Sequence, residues 1–161
     1  MNEMPSRPEV FHSGSSKGYA EVLQCRLGRT VRARKREQAV LVRFAEQAAA
    51  VETLEGVVHA KLGDAIVTGL FGENWPVSRD TFAGKYDAVP PLEVGAPGRY
   101  MSLPIEVLAV EMQAPFDVVL ADGHSRLTGR PGDWLVDYGD GNLGIVNAVI
   151  FGATYEILEA G

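Results

Sequence analysis

The stretches GDAIVTGLFGENWPVSRDTFAGKYDAV (residues 63–89) and GDWLVDYGDGNLGIVNAVIFGATYEIL (residues 132–158) align end to end without a gap. Identical pairs are Gly63/Gly132, Asp64/Asp133, Val67/Val136, Gly72/Gly141, Val77/Val146, Phe82/Phe151 and Tyr86/Tyr155. Upstream the register slips by a few residues: Glu55-Gly56 faces Asp122-Gly123, and QAVLVRF faces PIEVLAV. A repeat of this size has to be recognised before any other fold assignment is made. It predicts two tandem copies of one strand-rich module, at residues 34–89 and 99–161, joined by the Pro- and Gly-rich linker 90–98. Residues 1–33 are expected to form an N-terminal arm, partly mobile and basic at its end.

The shared positions are those a β module needs. QAVLVRF and IEVLAVEM are apolar runs of strand length with β-branched residues. AVET-LEG-VVHA and FDVVLA-DG-HSRLT read as strand, tight turn and strand, with Gly supplying the backbone angles of the turn. Each GD turn leads into a further strand, AIVT or WLVDY, and FGEN or GDGN then turns the chain into WPVS or LGIV. In the tail the period changes. Phe82 and Tyr86, like Phe151 and Tyr155, stand four apart and would share one face of a short helical turn. The expected fold is therefore mainly β, or α+β at most. Each module is expected to hold about five strands in a curved sheet or small barrel, with one short helix. A module of this size is near the lower limit for an independent core, so the second is expected to pack on the first.

With LGDAIVTG and PGDWLVDYG in view, the chain resembles the PGDYG-type small proteins of bacteria and their phages. The first module carries Arg34-Lys35-Arg36, Thr53-Leu54-Glu55-Gly56, Gly63-Asp64, and Phe82 with Tyr86. The second carries Pro131-Gly132-Asp133-Trp134, Phe151 and Tyr155. Leu62, Ala65 and Trp134 depart from the pattern. The resemblance implies a fold and a prophage or mobile-element context; it implies no agreed activity, and no catalytic residue can be carried over.

Composition bounds the function. The 161 residues are 46% hydrophobic and carry a net charge of −6, as in an ordinary globular protein. No apolar run approaches the length of a membrane span, and the first residues lack the apolar centre of a signal peptide. The single cysteine, Cys25, excludes an internal disulfide and a cysteine-cluster metal site. A cytoplasmic protein is expected, with no membrane partner. Charge is distributed unevenly. Residues 1–45 hold nine Lys and Arg against four Asp and Glu, and residues 46–161 hold six against seventeen. Most of the excess lies in the segment 26–36, a possible footprint for nucleic acid.

Motifs for chemistry are few. Gly14-Ser15-Ser16-Lys17-Gly18 matches a nucleophile elbow, but no strand of a large α/β sheet precedes it. Counted from Asp140, a calcium loop would need Gly at Ile145 and Glu at Phe151. His12, His59 and His124 share no ligand spacing, so no metal and no cofactor is expected. Asp64 and Asp133 recur in both modules and are read as turn-forming rather than catalytic. Residues present in one copy are free to specialise, and Trp, Tyr and Arg are the usual anchors of a binding surface. Trp75, Arg79, Trp134, Asp137 and Tyr138 are therefore the candidates for ligand or partner contact; catalytic residues are not identified. The leading expectation is a non-enzymatic binding module for a small molecule or a protein, with a homo-oligomer open. One alternative is an enzyme acting on a nucleotide or phosphorylated metabolite, using an Asp with Arg79 or Arg130. Another is nucleic-acid binding through residues 26–36.

Overall fold

Buried residues recur at every second position in several of the strands, and the strands pair into two five-stranded sheets and two smaller ones. A computed structural model of the chain describes residues 8–14 and 29–160. In chain order its strands are β1 (Glu9–His12), β2 (Thr30–Lys35), β3 (Ala39–Phe44), β4 (Ala49–Thr53), β5 (Gly56–Ala60), β6 (Ala65–Thr68) and β7 (Asn74–Val77). Helix α1 (Arg79–Lys85) and β8 (Tyr86–Ala88) complete the first half. The second half runs β9 (Gly98–Ser102), β10 (Glu106–Glu111), β11 (Phe116–Val119), β12 (Arg126–Gly129), β13 (Trp134–Asp137), β14 (Leu143–Val146), α2 (Ala148–Thr154) and β15 (Tyr155–Ala160). The protein is mainly β, with several open sheets and no closed barrel. Residues 15–18 of the Gly/Ser segment, Cys25 and Arg26 lie outside the described residues.

The two principal sheets have the orders β7-β6-β3-β9-β8 and β14-β13-β10-β2-β15. Corresponding strands occupy corresponding places, with one exchange. Strand β2 lies in the sheet of the second half, between β10 and β15, and β9 lies in the sheet of the first half, between β3 and β8. The sequence-based boundaries, with an arm to residue 33 and modules from 34 and 99, missed this. Each half thus places one strand, β2 or β9, in the principal sheet of the other. After β2 the chain crosses into β3, and after β9 it crosses into β10. The crossings are bonded together: Ser102 N–H donates to Gln38 O at 2.8 Å, and Gln38 N–H donates to Ser102 Oγ at 3.0 Å.

Each half ends the same way. Ser78 caps α1 by accepting from Thr81 N–H, and Asn147 caps α2 by accepting from Ile150 N–H. Phe82 then stacks on Tyr86, and Phe151 on Tyr155, both with centroids 4.9 Å apart. The hairpins β4–β5 and β11–β12 meet edge to edge between the halves. Thr128 N–H donates to Glu55 O at 2.8 Å, and His59 N–H to Ser125 Oγ at 3.0 Å. Strand β1 adds in parallel to β11, and Phe11 enters the second half's core.

Candidate functional site

Between the halves lies a cavity of about 350 Å³, lined from both. Its position follows from the strand exchange, which brings the end of β2 and the end of β7 to one seam. Along β2, Val31 and Ala33 point into the core, while Arg32 and Arg34 point outward toward Glu106 on β10, at 3.1 and 3.8 Å. The same alternation turns Lys35 to the inner face. There its ammonium lies 5.7 Å from the Trp75 ring centre and 5.5 Å from that of Tyr86, and Nζ donates to Tyr86 Oη at 3.5 Å. Burial lowers its pKa to about 8, with Glu73 opposing the shift.

Two carboxylates share the cavity. Glu55 comes from the turn between β4 and β5, and Glu73 from the turn leading into β7. Glu55 is raised to about 7 by burial first, then by the charges of Asp133 and Glu73. Glu73 is also raised, chiefly by burial, against the pull of backbone N–H groups and Lys35. Oε2 of each is buried and accepts no hydrogen bond among the described residues. Gly69 makes room for this arrangement, since a Cβ there would collide with the Glu73 carboxylate and crowd Trp75.

Three tyrosines join the lining. Tyr86, Tyr138 and Tyr155 all line the cavity. Burial pushes the Tyr86 phenol up to about 12, while a hydrogen bond from Trp75 holds it back. Tyr138 and Tyr155 are pushed up further by burial, and they are hydrogen-bonded to each other. Gly144 leaves space for the Tyr138 ring, whose face carries Lys85 Nζ at 4.5 Å from its centre. Lys85 in turn pairs with Asp140 at 3.0 Å. Leu54 and Leu70 also line the cavity and are largely exposed, giving it an apolar mouth.

Of the residues proposed from sequence for contact, the structure brings Trp75 and Tyr138 together at this cavity. Trp134 is a correction. It is buried and stacks on Phe151 at 4.0 Å, so it belongs to the core and cannot serve as a surface anchor. Asp137 is buried as well. Its Oδ1 accepts from Gly139 N–H at 2.8 Å, and the residue borders a separate recess of about 160 Å³ beside Arg32 and Glu106. Arg79 is exposed at the start of α1; its neighbours Ser78 and Thr81 line the cavity and Arg79 does not. Asp64 and Asp133 accept backbone N–H groups within their own turns, from Lys61 at 2.8 Å and from Arg130 at 2.9 Å.

Sequence reasoning missed Lys35, Glu55 and Glu73, and it read Tyr86 and Tyr155 as scaffold alone. Lys35 was legible in TVRARK, where period two puts it with Val31 and Ala33. Glu73 faces Asn142 in the internal alignment and so was an unmatched charge. Among the described residues no His, Cys, Asp and Glu gather as a metal site, and no helix is long and apolar enough to cross a membrane.

No curated protein and no solved structure matches the chain. One family does, described as PGDYG protein, over residues 56–156 and as a single copy. That span runs from β5 to the start of β15 and includes both GD turns, both Phe-x-x-x-Tyr segments and most of the cavity wall. The chain belongs to the PGDYG protein family.

Proposed function

We propose that the protein is a non-enzymatic binding module that holds a small molecule in the cavity between its halves. One observation carries the reading: a seam cavity of about 350 Å³ with an apolar and aromatic wall and a few converging polar groups. Small-molecule sites fall at roughly 300–1,000 Å³ and have this mixture of walls, often at the junction of two structural units. The two halves are read as tandem copies of one ancestral module. On that reading the asymmetry of the cavity is what duplication allows, because Lys35, Glu73 and Trp75 have no like residue in the second copy. The test is a thermal-shift screen of metabolite-sized compounds against the protein and against Trp75→Ala. Compounds should raise the midpoint of the wild type, and the folded variant should lose that response. A wild type that responds to nothing in the screen would sink the reading.

A second reading, catalysis in the same cavity, is favoured by Lys35 and Glu55, which burial draws toward neutrality from opposite sides. It departs from an enzyme built on Asp133 with Arg130, since the Asp133 carboxylate is committed to its turn. Turnover lost in Lys35→Met, with ligand-induced stabilisation retained, would favour it. Nucleic-acid binding has less support, because Arg32 and Arg34 face Glu106 and Lys35 faces inward.

A further inference from the structure

We infer that the cavity is built for a small planar ligand with a cationic N–H edge, of the amidinium or guanidinium kind, received by Glu55 and Glu73 against the aromatic wall. This rests on the small-molecule reading above and names its chemistry.

The argument is one of unmet partners. Oε2 of Glu55 and Oε2 of Glu73 are both buried at the cavity and accept no hydrogen bond among the described residues. Leaving a buried carboxylate oxygen unpaired is costly, and a ligand that supplies donors removes that cost. The lysines that could supply them are otherwise engaged. Lys35 lies over Trp75 and Tyr86 and donates to Tyr86 Oη, and Lys85 pairs with Asp140 and covers Tyr138. With Lys85 paired to Asp140, Glu55 and Glu73 stand against the ammonium of Lys35, and a bound cation draws both carboxyls toward their charged form. Glu55 is raised chiefly by burial, then by the charges of Asp133 and Glu73, and a cation beside it offsets those two charges.

The other ligand classes fit less well. An anion would have to compete with Glu73 for Lys35 and would face two carboxylates. A neutral apolar body would fill the space while leaving both oxygens unpaired. A planar cation gains three ways: parallel N–H donors suit carboxylate oxygens, charge is balanced, and the flat body packs on Trp75 with the tyrosines around it.

Three probes of one shape separate these cases: benzamidine, benzoate and benzyl alcohol, titrated into the full chain and followed by calorimetry and tryptophan fluorescence. Benzamidine should bind roughly tenfold or more tightly than either of the others. Glu55→Gln and Glu73→Gln should each weaken benzamidine by roughly tenfold while leaving benzyl alcohol unchanged. Both variants are expected to fold, since each removes a charge the cavity disfavours, and unchanged thermal unfolding cooperativity checks this. If benzoate or benzyl alcohol binds as tightly as benzamidine, the ligand class is overturned and the cavity reading stands. If benzamidine binds tightly but neither glutamine variant weakens it, the assignment to Glu55 and Glu73 falls. Silence from all three probes together with a silent compound screen would remove the ligand class and the binding reading alike.

Discussion

At neutral pH Lys35 and Glu55 each hold a charge that the fold disfavours, and the consequence for stability has a definite sign. Glu55 rises from 4.5 to about 7 on folding, so between those values the native state keeps a proton that the unfolded chain has lost. Its contribution is present in full below pH 4.5 and is lost as pH rises to about 7. Lys35 falls from 10.5 to about 8, so the native state sheds a proton that the unfolded chain still holds. Its contribution grows as pH rises from about 8 to 10.5 and is absent below. Denaturant unfolding across pH should therefore show Glu55→Gln losing the decline on the acid side, and Lys35→Met losing the rise on the alkaline side. Parallel curves for wild type and Glu55→Gln between pH 4.5 and 7 would show that Glu55 does not titrate in this way. The two tryptophans part company at the same scale. Trp134→Ala removes a buried ring stacked on Phe151 and should cost about 3–5 kcal/mol. Trp75→Ala trims a half-buried cavity wall and should cost clearly less, a contrast that urea denaturation measures directly.

Among the elements, the hairpins at the seam matter most for the shape of the cavity. Gly56 has φ +149°, and a Cβ there would come within 2.7 Å of Arg126 O on β12. The turn that presents Glu55 is thus pressed against the other half at a point where only glycine fits. Gly56→Ala should cost of order 1–3 kcal/mol, from backbone strain plus the enforced retreat of one hairpin. It should also speed hydrogen exchange at Thr128 N–H, which bonds Glu55 O across the seam. Unchanged exchange there would mean that the hairpins separate without consequence. The hairpins themselves were legible from LEG and DG between apolar runs, because turn chemistry is local. What β4–β5 would face was not legible, because edge pairing between β5 and β12 depends on how the sheets are placed.

For the whole molecule, the exchange of β2 and β9 makes the halves interdependent. Without β2, the strand β15 loses its neighbour in the sheet order β14-β13-β10-β2-β15. Residues 99–161 expressed alone should therefore remain largely unfolded by circular dichroism. A chain cut within the linker 90–98 should keep its halves together on size exclusion under native conditions; separation of folded halves would contradict the exchanged topology. The sequence by itself determined the strands, the turns and the two Phe-x-x-x-Tyr anchors, since periodicity, glycine-bearing turns and helix spacing are properties of neighbouring residues. Trp75 and Tyr138, bulky residues facing Gly144 and Gly69 in the internal alignment, both line the cavity. The tertiary structure alone decided that Trp134 is core, that β2 and β9 each lie in the principal sheet of the other half, and that Lys35, Glu55 and Glu73 meet at one cavity. Those residues stand up to 38 positions apart in the chain, and their meeting depends on long-range strand pairing, which no local pattern encodes.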